Sequence, residues 1–300
     1  MFKRQTTGSV VCPNCGRLVG VRDEKCLNCG RPYPGLFGFT PLLNQLGRDL
    51  AFGDVVLWGC GILYVFSLAF DPNGIRFNGL LSMLSPSPQA AFVFGDSGWI
   101  PVFVFGRWWT VLSAGWLHGG LIHLGFNMYY LRFLMPNVIE IFGVGRAMIL
   151  YVASSAAGFI VTSGFGLLTA PNQPLSGLPR FLHGAPLTLG ASAALCGLLG
   201  ALLYYARKTG HSMMTQRLAQ MAIFLGIIGL VLPGVDNWAH LGGFVGGYLV
   251  AMALRPLHDE TPIHLLLGVL AVALSLASVG MSIWIGLRQL PHFERFVGLG

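Results

Sequence analysis

Residues 186–201 read PLTLGASAALCGLLGA. The stretch carries no charge, is long enough to begin a membrane span, and places Ser192 in the run Gly190-Ala191-Ser192-Ala193. A lone serine in a membrane helix is ordinarily inert, its hydroxyl bonding back to the carbonyl one turn earlier. Two other polar clusters in apolar sequence give this serine a different weight. One is His118, His123 and Asn127; the other is His240, in the run Asp236-Asn237-Trp238-Ala239-His240.

Composition sets the class. The 300 residues are 54% hydrophobic and 10% charged, against about 25% charge in a soluble domain, so an all-α polytopic membrane protein is expected. The N-terminus is polar and Cys-rich rather than a short cleavable signal. The formal charge of +7 does not point to nucleic acid, because the basic residues flank apolar stretches instead of forming one patch.

Seven stretches approach the roughly 20 residues a bilayer requires: 51–70, 120–142, 147–169, 187–206, 218–235, 237–254 and 263–287. The second and sixth are marginal in hydropathy because they hold the His and Asn residues. With the N-terminus in the cytoplasm, the inner segments carry twelve Lys and Arg and the outer segments five, with Arg132 inside a span. The positive-inside rule then predicts N-in, C-out. Spans two, four and six all begin at the outer face, which puts His123, Ser192 and His240 at one depth, roughly 5–8 Å in at 1.5 Å per residue. Polar groups at depth are costly, and three from three helices at one level mark a site.

Residues 12–30 have the pattern C-x2-C-x10-C-x2-C and nearly repeat themselves around Cys12/Cys15 and Cys26/Cys29. Four thiolates suit tetrahedral zinc, each knuckle glycine permitting the tight turn. Two disulfides are the rival pairing, disfavoured on a reducing cytoplasmic side. Such a ribbon has too few apolar residues to fold without its metal, so Zn2+ is structural. Residues 31–50 read as a Pro/Gly-rich linker ending in an amphipathic approach to the membrane.

Residues 71–119 are too long for a simple connection and too apolar for a solvated one. They are expected to form short segments partly in the outer leaflet, with Trp108 and Trp109 beside Arg107 as interfacial anchors. In span two, His123 and Asn127 are i, i+4 and share a face; Arg132 and Glu140 read as structural. Cys60 and Cys196 read as packing residues. Span six carries Gly243-x3-Gly247 and span four a run of Ala and Gly, so their backbones can approach closely and bring Ser192 within reach of His240. Asp236 or Asn237 can cap span six; Asp236 also stands four residues before His240 and could orient it. Span seven offers no site residue, and His264 lies at its inner end.

These groups fill the roles of acyl transfer: Ser192 as nucleophile, His240 as base, His123 and Asn127 as side-chain oxyanion donors, and the Ser192 backbone N–H at a helix N-terminus. No third Asp and no catalytic cofactor is required.

At these residues the sequence resembles the rhomboid intramembrane serine proteases. The resemblance rests on His118-x4-His123-x3-Asn127, Gly190-x-Ser192 and Ala239-His240-x-Gly242-Gly243, in the family's order, and covers about residues 51–254. It implies a six-helix core with Ser192 and His240 as catalytic dyad, His123 and Asn127 in the oxyanion site, and His118 and Gly190 supporting them. It also implies that 71–119 is a lateral membrane-embedded loop, with Arg107 near the family's arginine. Many members have Gly after the nucleophile, where this chain has Ala193.

The domains expected are a zinc ribbon at 1–35, a linker at 36–50, the core at 51–254, and an extra transmembrane helix and tail at 255–300. The implied substrate is a single-span membrane protein cut near the outer face of the lipid bilayer. The ribbon's partner is unknown. A catalytically inactive relative that binds membrane proteins is the alternative from another class; such relatives usually lack the serine or the histidine. A transporter would need a polar path across the bilayer, whereas this cluster stops near one face.

Overall fold

A computed structural model describes residues 5–12, 15–35, 52–77, 83–179, 182–232 and 234–298. The expected amphipathic approach at the end of the linker falls outside these residues. Seven long helices are present among them: α1 (Phe52–Phe70), α2 (Leu121–Phe142), α3 (Val144–Thr169), α4 (Ser192–Lys208), α5 (Ser212–Val231), α6 (Asn237–Leu254) and α7 (Pro262–Val297). Each corresponds to one expected span. Four of them (α1, α3, α5 and α7) are long and apolar enough to cross a membrane by length and composition alone. The other three are short or interrupted by the polar residues of the candidate site.

Three boundaries moved by five residues or more, one being the start of span five, expected at 218 and found at Ser212. Span four was expected from 187, but α4 starts at Ser192. The residues before it are extended, because Thr188 and Ser97 exchange backbone hydrogen bonds at 2.8 Å in both directions. Span seven was expected to end at 287, but α7 runs to Val297, 36 residues in all, or about 54 Å at 1.5 Å per residue.

α3 is the central helix, two-thirds of its apolar window being buried, while α5 at the edge is 6% buried. The most extensive helix contacts are α4 with α6 and α3 with α6, and small residues explain both. A Cβ at Gly247 would run into the Gly197 carbonyl, and one at Gly243 into the Ala193 carbonyl. The Gly243-x3-Gly247 face therefore does lie against the α4 backbone. Ala193 is accommodated in turn: its Cβ faces Gly158 of α3, where a second Cβ would sit only 2.9 Å away. Cys60 and Cys196 are buried packing residues, as expected. Arg132 pairs with Asp54 of α1 at 3.5 Å, both side chains largely exposed.

Between α1 and α2 the chain forms short elements. They include a helix at Pro88–Phe94 capped by Ser87, a π-helical turn at Ile100–Val104 and a helical turn at Thr110–Ser113. The expected aromatic anchors divide. Trp108 is 67% exposed, but Arg107 and Trp109 are buried. They turn inward because α7 covers this segment and supplies the polar partners that an apolar loop lacks. The Arg107 guanidinium donates to the carbonyls of Phe92 and Ser282, and the Trp109 indole N–H donates to the Ser282 hydroxyl.

The N-terminal ribbon is a two-stranded antiparallel sheet, β1 (Ser9–Val11) paired with β2 (Leu18–Gly20). Its core contains Val10, Val19, Val21 and the cysteines.

Candidate functional site

Ser192 is the first residue of α4, His123 the third of α2 and His240 the fourth of α6. All three thus stand in the first turn of their helices, at corresponding positions. The Ser192 Oγ lies 2.8 Å from His240 Nε2, a hydrogen bond between helices that the glycine contacts of α4 and α6 make possible. The first N–H groups of α4 have no partner within the helix, so the serine's own amide is available beside its hydroxyl.

The first turn of α6 is fixed on several sides. Asp236 caps it, its Oδ1 accepting from the Ala239 N–H at 3.0 Å and from the Thr162 hydroxyl of α3 at 2.9 Å. The Trp238 ring stacks on Phe165 at 3.9 Å and its indole N–H donates to the Leu182 carbonyl. Asn237 donates to the Gly229 carbonyl of α5. Asp236 is therefore the cap. Among the described residues no hydrogen bond joins it to His240, and Asp236 Oδ2 and His240 Nδ1 each have no partner there.

His123 lies directly over Gly190. A Cβ on Gly190 would be 2.7 Å from His123 Cε1 and 2.9 Å from Nε2, and 3.7 Å from Ser192 Oγ. Gly190 has φ +132°, a region closed to other residues, and its N–H donates to the Ala114 carbonyl at 2.9 Å. The turn into the serine thus needs glycine twice, for backbone conformation and for space. His123 Nδ1 accepts from the Gly119 N–H at 3.3 Å. A neutral ring accepting at Nδ1 carries its proton on Nε2, the nitrogen that faces Gly190 and Ser192.

Asn127, one turn on, is buried and donates from Nδ2 to the His123 carbonyl at 3.0 Å, leaving its second amide hydrogen for another acceptor. His118 is buried, its ring 5.2 Å from that of His123. All six residues expected around this site are brought together.

The four ribbon cysteines form the second centre. Their sulfurs lie within 4.8 Å of one another, with Cys12–Cys29 and Cys15–Cys26 each 3.7 Å apart. None is in a disulfide. A tetrahedral zinc with Zn–S near 2.3 Å requires sulfur separations of about 3.8 Å, so the donor set fits such an ion. The two knuckles have the same geometry. Gly16 and Gly30 have φ of +71° and +74°, and each donates its N–H to the first cysteine's carbonyl at 2.9 Å. The Arg17 N–H, then the Asn28 side chain, hold the Cys15 thiol below its ordinary pKa, favouring the thiolate a metal binds.

The polar residues of α7 had no signal of this kind. Ser275 and Ser282 are seven apart in the uncharged run 265–287 of α7 and match no motif. Their partners are tryptophans more than 150 residues away.

Comparison with known proteins identifies the family. A family profile described as the Rhomboid domain matches residues 105–257. Rhomboid protease GluP of Bacillus subtilis is 31% identical over 194 residues, 63% of this chain and 34% of its own length. RHOMBOID-like protein 1 of Arabidopsis thaliana is 32% identical over 228 residues, 74% of this chain and 51% of its own. Inactive RHOMBOID-like protein 8 of the same plant is 28% identical over 168 residues, 54% of this chain and 43% of its own. The matches thus span between about a third and a half of these relatives' own lengths. Its site, its seven long helices and a profile match over half its length make this chain a multi-pass integral membrane protein that belongs to the rhomboid family.

Proposed function

We propose that this protein is an intramembrane serine endopeptidase that cuts single-span membrane proteins with a Ser192–His240 dyad. The observation that carries the proposal is the 2.8 Å contact between Ser192 Oγ and His240 Nε2. In the first step His240 Nε2 takes the hydroxyl proton as Oγ attacks the scissile carbonyl carbon. The negative charge that develops on the carbonyl oxygen is met by the His123 Nε2–H, the Ser192 N–H and the free amide hydrogen of Asn127. As the intermediate collapses, the C–N bond breaks and His240 returns the proton to the leaving amine. A water then gives a proton to His240 and attacks the acyl carbon, and Ser192 leaves as the hydroxyl with that proton. No cofactor takes part. His118 and Gly190 support the oxyanion side.

We assign 51–254 to the catalytic core, 36–50 to a linker, and 255–300 to an added helix and tail. In the ribbon at 1–35, Cys12, Cys15, Cys26 and Cys29 hold Zn2+ in a structural role. The basic-residue count supports a cytoplasmic N-terminus, an outer C-terminus and a site near the outer face.

The test is cleavage of a reconstituted single-span substrate. Ser192→Ala and His240→Ala should each abolish it, and the double variant should be no worse, as for residues acting as a unit. Wild-type turnover by Ser192→Ala would sink the proposal. Proteomics of ectodomains released by wild type against Ser192→Ala would identify substrates.

A further inference from the structure

The seventh helix lies outside the six-helix core, yet it supplies the polar partners of the segment on which the site rests. Ser275 and Ser282 are two turns apart on one face of α7, and both are buried. The Ser282 hydroxyl accepts the Trp109 indole N–H at 3.1 Å and lies 3.4 Å from the Ser113 hydroxyl, while its carbonyl accepts the Arg107 guanidinium at 3.0 Å. The Ser275 hydroxyl accepts the Trp116 indole N–H at 3.1 Å. One residue flanked by these contacts, Ala114, and one packed beside the segment, Ser97, lead to the site. Ala114, next to Ser113, accepts the Gly190 N–H, and Ser97 pairs with Thr188. His118 follows Trp116 by two residues.

The helix is also fixed at its other end. Glu260, just before it, accepts the Arg146 N–H at the start of α3, and the Arg146 guanidinium donates to the carbonyls of His258 and Asp259, each at 2.7 Å. Gly268 and Gly145 bring α7 and α3 into backbone contact. α7 is therefore held as part of the body of the molecule. An indole N–H left without a partner in an apolar interior has no water to turn to, so each serine determines where its tryptophan can sit.

We propose that Ser282 and Ser275 are positioning residues. Through Trp109, Ser113 and Trp116 they hold the Ala114 carbonyl on the Gly190 N–H and so fix the turn from which Ser192 presents its hydroxyl. The proposal rests on the dyad assignment above and extends it to a helix that the catalytic core does not include.

The experiment uses the full-length protein in liposomes, with a single-span substrate and a fluorophosphonate that phosphonylates Ser192 with loss of fluoride, both normalised to folded protein. Ser275→Ala and Ser282→Ala should each lower kcat and the phosphonylation rate about fivefold, the scale of one lost buried hydrogen bond, with KM within about twofold because no substrate contact is lost. Ser278→Ala is the control: among the described residues this buried hydroxyl donates only to the Ser275 carbonyl of its own helix, and its removal should leave both rates unchanged. In a Trp109→Phe background Ser282→Ala should have a smaller effect than in wild type, since the indole bond is already lost and only the longer Ser113 contact remains. If the wild-type chain neither cleaves nor takes the phosphonate, the dyad assignment fails and this proposal with it. If wild type is active and the Ser275→Ala/Ser282→Ala double variant keeps kcat within about twofold, the link from α7 to the site is overturned while the dyad stands. A lower melting temperature with unchanged kcat would overturn it equally, because packing alone predicts that result.

Discussion

Replacing Gly190 by alanine tests the oxyanion side of the site without touching a reacting atom. The added Cβ would stand 2.7 Å from His123 Cε1 at a residue with φ +132°. Ordinary contact begins near 3.4 Å, so the ring must recede by about 0.7 Å or the turn must change its conformation. The backbone strain costs roughly 1–3 kcal/mol. The ring movement withdraws the Nε2–H from where the oxyanion forms, and misplacement by about 1 Å at a reacting centre costs on the order of a hundredfold. Gly190→Ala should therefore lower kcat roughly a hundredfold, short of the loss in Ser192→Ala, because the backbone donor remains. Single-turnover cleavage and phosphonylation by the fluorophosphonate read this directly. Gly61→Ala is the companion, since a Cβ there meets nothing within 4 Å and alanine should gain up to about 1 kcal/mol in a helix. A Gly190→Ala variant that is phosphonylated within about threefold of wild type would refute the placement of His123 over the turn, whatever its melting temperature.

Other outcomes follow from the same geometry. His123→Ala and Asn127→Ala should each leave measurable cleavage, reduced by up to about a thousandfold, as each removes one donor among three; complete loss in a folded variant would show that one of them does more. Elemental analysis should find one zinc per chain, lost in Cys12→Ser, while a core lacking residues 1–35 should still cut the substrate; two ribbon disulfides found by mass spectrometry would contradict this. Burial pushes the Glu260 carboxyl up, against the pull of the Arg146, Gly145 and Val144 N–H groups and the Arg146 charge. The folded state then binds that proton more tightly than the unfolded one, so stability must fall as pH rises through the interval above the free value of about 4.3. Thermal unfolding against pH should show this fall in wild type and not in Glu260→Gln; an identical profile in the variant would remove Glu260 as its source.

What the sequence made legible was what repeats or aligns with physical limits. The apolar runs located all seven long helices because each must satisfy its backbone internally, and the small-residue faces located the contact between α4 and α6. The three site helices begin with their polar residues in the first turn, which is why equal depth could be inferred from position alone. The start of α4 was misplaced because 187–190 is apolar enough to continue a span. Only the pairing of Thr188 with Ser97 and the left-handed Gly190 stop it. Arg107 and Trp109 were expected at the interface because a cation beside indoles usually sits there. Their actual partner is a helix some 170 residues away, and hydroxyls in its uncharged run carry no local signal. Contacts of such separation are decided by tertiary packing, which periodicity does not encode.

The proposed base, His240, raises the question of what orients it in the absence of a third residue. Asp236 is the obvious candidate by spacing, four residues before His240, yet its Oδ1 is occupied by the Ala239 N–H and the Thr162 hydroxyl, and no bond reaches the ring. Its work is to anchor the first turn of α6 to α3. The ring is held through that turn, by Trp238 on Phe165, Asn237 on α5 and the backbone contact of Gly243 with Ala193. An N-cap can be supplied as well by Asn as by Asp, whereas Ala forfeits about 1 kcal/mol. Asp236→Asn should thus keep wild-type kcat and the wild-type pH profile. Asp236→Ala should lower thermal stability and expression while the folded fraction retains that same profile. If Asp236 instead acted on the imidazole electrostatically, Asn would fail as a substitute and the pH dependence of acylation would move with the loss of the charge. A displaced profile in Asp236→Asn, with stability unchanged, would assign to Asp236 the orienting role that the hydrogen bonds give to the helix turn.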